Sequence, residues 1–224
     1  MKTAPDSSSV DAAETASDVQ KKPRNGVLRF LGSLPGLILI ALVLALVIKG
    51  FLFQAFYIPS ASMEPTLHGC DSCTGDRIIV NKVPYYFHDP RRGDIIVFSD
   101  PHPTATTSRG VVGGFVHWVV QGLGVQHPDN EDFVKRVIGL PGETVWAQGG
   151  SVYVNGVKLN EPYLTQRTAD FPHTAVPQGD LFVMGDNRRD SLDSRSSLGF
   201  VPISNVIGKA EIIVWPPSRA GLLH

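Results

Sequence analysis

The 224-residue chain has two cysteines, Cys70 and Cys73, three methionines and no excess of charge of either sign. Two cysteines cannot build the disulfide framework that holds small secreted folds together. Twenty Lys and Arg against 21 Asp and Glu leave a formal net charge of −1, which excludes a broadly basic nucleic-acid binder, and no nucleic-acid partner is expected. The seven histidines form no His-Glu-x-x-His and no ligand spacing, so no metal site and no cofactor are expected. Gly-x-Ser-x-Gly is missing, so nothing favours the nucleophile elbow of an α/β-hydrolase. No repeat period occurs, which excludes solenoids. With 42% hydrophobic and 18% charged residues, the composition is that of a globular protein.

One long apolar run is present. From Phe30 to Ile48 no residue is charged. About 19 residues at a rise of 1.5 Å cover roughly 28 Å, close to the hydrocarbon thickness of a bilayer. Lys49 follows, where its stem can snorkel, and Phe51, Phe53, Phe56 and Tyr57 are placed for an interfacial aromatic band. Lys21, Lys22, Arg24 and Arg29 precede the run, and after Lys49 no Lys or Arg occurs until Arg77. By the positive-inside rule the N-terminus is cytoplasmic and the rest extracytoplasmic. A cleavable leader has a shorter apolar core, about 7–15 residues. An uncleaved anchor is therefore expected, although the small residues Ser60-Ala61-Ser62 keep the leader reading open.

The chain then divides as follows. Residues 1–26, rich in Ser, Ala, Asp and Lys, read as a disordered cytoplasmic tail. Residues 27–56 are the anchor, 57–217 an extracytoplasmic domain and 218–224 a C-terminal tail. The domain reads as mainly β, with short strands at 76–82, 95–98, 133–138, 181–184 and 211–215 between turns. Asn155-Gly156, between Ser151–Val154 and Val157–Leu159, is a strong hairpin signal. Residues 100–132 form an insertion whose apolar part either lies on the membrane or covers the core. Residues 147–180 read as a small cap.

Three segments carry chemistry. Ser60 and Ser62 lie between Pro59 and Pro65, which restrict the backbone and can present a hydroxyl at fixed geometry. On a strand, Phe133, Lys135 and Val137 share one face. Lys135 is then either a guard on an edge strand or a buried lysine able to act as a general base. Holding such an amine neutral at pH 7 costs about 4.6 kcal/mol, which only burial supplies. Gly185 to Arg195 is rich in complementary Asp, Asn, Arg and Ser, and is either a charged solvent loop or a loop fixed by its own side chains.

Taken together, these segments resemble the bacterial type I signal peptidases (leader peptidases), the membrane-bound Ser/Lys proteases. The resemblance runs from the anchor to Pro217 through Pro59-Ser-Ala-Ser-Met-Glu-Pro-Thr-Leu67, Gly75-Asp76-Arg77, Arg92–Phe98, Val134–Glu143 and Gly185–Pro202. A single N-terminal span and a short cap look like the compact Gram-positive form. The resemblance implies an antiparallel-sheet catalytic domain of the signal-peptidase type, with Ser62 as nucleophile and Lys135 as general base. It implies that the Ser60 hydroxyl and the Ser62 N–H form an oxyanion hole and that Ser191 orients the lysine. It makes Asp193, Arg195 and Arg188 structural support. Phe56, Ile58, Met63, Leu67, Phe133 and Val134 would form shallow pockets for small residues. An extended substrate would pair with Ile58-Pro59-Ser60 and Asp132-Phe133-Val134. The implied partners are the signal peptides of secreted preproteins, cut after Ala-x-Ala, and membrane lipid; a monomer is expected. For an extracytoplasmic loop a Cys70–Cys73 disulfide is plausible beside a redox pair or half a metal site. Inactive relatives that serve as membrane-anchored assembly scaffolds would be expected to lack the serine or the lysine.

Overall fold

The computed structural model describes residues 33–70, 74–102 and 132–223. The tail 1–26, the start of the anchor, Cys73 and most of the 100–132 insertion lie outside the described residues.

Leu34–Val47 forms helix α1, and a π-helical turn over Ile48–Leu52 continues it. Pro35 sits in the first turn, where a missing N–H removes no helical bond. The 19 residues Leu34–Leu52 are long and apolar enough to cross a membrane. Leu34, Ile38 and Leu44 are all more than half exposed, and a helix apolar all round is one that lipid covers.

The remainder is mainly β. The strands are β1 (Phe53–Tyr57), β2 (Arg77–Asn81), β3 (Ile95–Ser99), β4 (Asp132–Gly139), β5 (Thr144–Gln148) and β6 (Ser151–Val154). They continue as β7 (Val157–Lys158), β8 (Phe171–Ala175), β9 (Asp180–Met184), β10 (Val201–Pro202), β11 (Val206–Trp215) and β12 (Gly221–Leu222). The larger sheet runs β1-β2-β11-β3-β4-β9-β10, with β12 on β11; the smaller runs β7-β6-β5-β8. All the pairings are antiparallel.

Two elements differ from the sequence expectation. Phe53–Tyr57, which straddles the expected anchor boundary and whose aromatics read as an interfacial band, is a strand whose residues pair in register with Asn81–Arg77. Its alternating exposure suits a sheet edge, and aromatic residues favour strands as readily as interfaces. Phe171–Ala175, inside the 147–180 cap and outside the strands read from the sequence, is edge strand β8, where Pro172 is tolerated. The Asn155-Gly156 hairpin forms as expected, with φ of 50° and 85° at its two turn residues.

One core cluster (Ile58, Met63, Leu67, Ile78, Val80, Ile95 and Val97) lies beneath the serine segment and fixes it to β2 and β3. A second, with Ile138, Val145, Val152 and Phe182, joins the two sheets.

Candidate active site

The serine segment leaves β1 at Tyr57 and turns at once. Ser60 is extended, Ala61–Met63 make one 3-10 turn, and Glu64 returns to extended backbone. Ser62 thus sits in a first helical turn, where N–H groups have no intrahelical partner and remain available to an acceptor. Met63 and Leu67 are buried and hold the turn from below. Gly69 backs it from behind, since a Cβ there would stand 2.5 Å from the Ser60 carbonyl oxygen.

Lys135 comes from the middle of the larger sheet. Its strand, β4, pairs with β3 through Lys135 and with β9 from Arg136 onward, and the side chain is turned inward and not into solvent, so the edge-guard reading does not apply. Lys135 pairs with Ile96 and is 3% exposed. Its Nζ donates to Ser62 Oγ at 2.9 Å and to the Val134 carbonyl at 3.0 Å. Burial lowers its pKa from 10.5 to about 8, against the opposing charges of Asp193 and Asp186. A serine hydroxyl beside an amine that loses its proton near neutrality is the pairing of a nucleophile with its base. Ser60 Oγ stands 3.2 Å from Ser62 Oγ.

The 185–195 loop is fixed against this pair. Gly185 N–H donates to Asp193 Oδ2 at 3.0 Å, and the Gly185 carbonyl accepts from Arg188 Nε at 3.0 Å. Arg195 grips Asp193 with two bonds of 2.9 and 2.7 Å. Arg188 turns the other way, pairing with Glu161 and with Thr168 Oγ1 at 2.6 Å. The Gly185 peptide links it to the Asp193–Arg195 pair. The Ser191 hydroxyl is buried, has no hydrogen-bond partner among the described residues, and is not bonded to Lys135.

Several contributors have no role in the sequence reading. Arg136, next to Lys135, holds Asp186 through two bonds of 2.9 and 2.7 Å, with both side chains almost fully buried. Thr66 Oγ1 donates to the same carboxylate at 2.5 Å. Asn187 donates its amide to the Ala61 carbonyl and its backbone N–H to that of Ser62, each at 3.1 Å. All lie inside or beside the quoted motifs. Their adjacency was the available signal, but a charged residue in a motif does not reveal its partner.

A cavity of about 370 Å³ opens on the pair. Phe56, Ile58, Pro59, Ser60, Ser62, Met63, Asp132, Phe133, Val134 and Lys135 all line it, as the sequence reading groups them, and Tyr57 joins them. Leu67 does not line it; fully buried, it belongs to the core below. Asp132 is raised to about 6, first by desolvation, with Ser99 and Lys82 acting against the shift. On this side the rim of β4 has no strand partner among the described residues, because its pairing with β9 begins at Arg136. Cys70 is disulfide-bonded, and Cys73 lies outside the described residues.

Fold and site together define a membrane-anchored serine hydrolase of the Ser/Lys kind. Comparison narrows this. A family model for signal peptidase, peptidase S26, matches residues 31–215. A signal peptidase I from Mycobacterium tuberculosis is 39% identical, with the match covering 99% of this chain and 84% of that relative. One from Leptolyngbya laminosa is 45% identical across 82% of this chain and 79% of the relative. A crystal structure of a signal peptidase I from Enterococcus faecalis V583 is 33% identical, covers 55% of this chain and 97% of its own, and superposes at a TM-score of 0.40. The chain belongs to the signal peptidase I family of membrane-bound serine endopeptidases.

Proposed function

We propose that this chain removes N-terminal signal peptides from secreted preproteins, cutting after Ala-x-Ala-type sites. The observation that carries the reading is the 2.9 Å contact between Ser62 Oγ and the buried Lys135 amine. In the neutral amine the hydrogen bond reverses, and the Ser62 O–H donates to the Nζ lone pair. As Oγ attacks the scissile carbonyl, Nζ takes the proton. The oxyanion is held by the Ser62 N–H and by the Ser60 hydroxyl, swung from its neighbour. The lysinium proton passes to the leaving amine, leaving the signal peptide as an ester on Ser62. Water, deprotonated by the neutral amine, then hydrolyses the ester.

Ser191 orients the lysine by turning its unpartnered hydroxyl to the amine once substrate displaces the Ser62 bond. Asp193, Arg195 and Arg188 hold the loop that carries it. The substrate strand adds to the rim of β4 at Asp132–Val134 and to Ile58–Ser60, with main-chain bonds supplying affinity. Phe56, Ile58, Met63, Phe133 and Val134 give the cleft beside Ser62 its apolar lining, and they receive the small side chains of the substrate.

The domain boundaries follow: a cytoplasmic tail at 1–26, an anchor from 27, and an outer peptidase domain with the 100–132 insertion and the 147–180 cap. The basic residues before the span support a cytoplasmic N-terminus. Cys70 pairs with Cys73, the second of the two cysteines, and the protein acts as a monomer on the outer face. The test is incubation of a preprotein whose leader ends in Ala-x-Ala with the full-length protein in detergent, beside Ser62→Ala. Mass spectrometry is expected to find a cut after the second Ala with the first protein and none with the second. Equal cutting by both would remove Ser62 from the mechanism.

A further inference from the structure

The loop carrying Ser62 is closed at its neck by one fully buried carboxylate, Asp76. The Asp76 carbonyl accepts from Ile58 N–H at 2.9 Å, and its N–H donates to the His68 carbonyl at 2.8 Å. Its Oδ2 accepts the His68 N–H, also at 2.8 Å. One residue thus joins the end of β1, the returning limb of the loop and the start of β2.

Asp76 is countered from the far end of the chain. Arg219 Nε lies 3.1 Å from Asp76 Oδ1, and its Nη2 lies 3.1 Å from Oδ2. The same Nη2 donates to the Thr66 carbonyl at 3.1 Å, so a single guanidinium spans neck and loop. Thr66 continues the chain of contacts through its hydroxyl to Asp186, which Arg136 holds next to Lys135. Arg219 is itself placed with little freedom. It ends a 3-10 turn that begins at Pro217, β12 then pairs with β11, and the Leu223 N–H donates to the Glu211 carbonyl. Residues 219–223, in the stretch that reads as a tail, are therefore part of the site's support.

We infer that Arg219 is a positioning residue for the nucleophile: the C-terminal turn clamps the Ser62 loop by gripping Asp76 and the Thr66 carbonyl. A guanidinium fork with several fixed N–H donors can serve both carboxylate oxygens and the carbonyl at once, and a lysine cannot reproduce it. Without the clamp the substrate rim of β4 is intact, but Ser62 has more room to wander from Lys135. Displacements of about 1 Å at a reacting atom cost on the order of 10²-fold in rate.

The inference rests on the peptidase reading, so its test has one arm that uses catalysis and one that does not. In the full-length protein, Arg219→Ala is expected to lower kcat roughly 10²-fold with KM little changed. Arg219→Lys should recover little. Millimolar guanidinium should restore rate to Arg219→Ala and not to Ser62→Ala. Hydrogen exchange reads the same clamp without turnover: the amides of Leu67 and His68 should exchange faster in Arg219→Ala, while those of β2 and β11 hold. A wild-type kcat in Arg219→Ala, or a loss that tracks the unfolded fraction and ignores guanidinium, would overturn the clamp. Equal exchange at Leu67 and His68 would overturn it even if the wild type cuts nothing, an outcome that would separately sink the peptidase reading.

Discussion

The carbonyl oxygen of Ser62 accepts a hydrogen bond from the backbone N–H of Asn187 at 3.1 Å. The turn that presents the nucleophile is therefore joined, backbone to backbone, to the loop that carries Ser191, Asp193 and Arg195. The Asn187 amide adds a bond to Ala61. Lys135 approaches from β4, so three separate stretches of chain fix one hydroxyl and one amine.

This junction leaves no room at Gly185. A Cβ on that residue would lie 2.2 Å from Ser191 Oγ and 2.4 Å from the Ser62 carbonyl oxygen, well inside van der Waals contact. Gly185→Ala is expected to lower kcat at least about 10²-fold by pushing the two loops apart. Steady-state kinetics beside a thermal melt check this. A kcat near wild type would mean that the loops separate without disturbing Ser62.

Arg136 and Asp186 form an ion pair at 2% and 0% side-chain exposure, and Arg136 Nη1 also bonds the Gly93 carbonyl at 2.9 Å. Removing one partner strands the other charge in the core, which typically costs about 3–5 kcal/mol. Arg136→Met is expected to lose stability on that scale in denaturant unfolding. Replacing both partners with apolar residues should recover much of it, because no charge is then left unpaired.

How much of this was legible in the sequence differs by element, for physical reasons. The anchor and the Asn155-Gly156 hairpin are written in contiguous residues: one by unbroken hydropathy, the other by a turn that requires positive φ. The Phe53–Tyr57 strand was hidden because its aromatics suit a membrane interface equally well, and only its pairing with β2 decides. For Lys135, alternation gave the face but not the burial, which comes from β3 alongside and the serine turn above. Arg219 was invisible: its partner stands 143 positions away, and nothing local marks a terminal arginine as a clamp. Leu67 was placed in the pocket from its motif, yet it packs one layer lower, in the core.

Ser60 carries a narrower expectation. Its hydroxyl lies 3.2 Å from Ser62 Oγ in the resting site, and in the proposed mechanism it swings to the oxyanion when a carbonyl is attacked. Ser60→Ala should reduce kcat by about 10²–10³ with little effect on KM, the usual consequence of losing one oxyanion donor. A rise in KM at constant kcat would instead mark Ser60 as a residue that binds ground-state substrate.

The pH dependence of kcat/KM tests the Ser62–Lys135 pairing most directly, because it reports titration in the free enzyme. Lys135 is held at about 8, so it is protonated and inert as a base below that value and neutral above it. The rate should therefore rise with pH through a single limb centred near 8, falling about tenfold for each unit on the acid side. Asp132, held at about 6 at the edge of the cleft, is the other group that titrates nearby, and Asp132→Asn should leave the limb in place. A rate that stays flat down to about pH 5, or a limb that vanishes in Asp132→Asn, would contradict a lysine base.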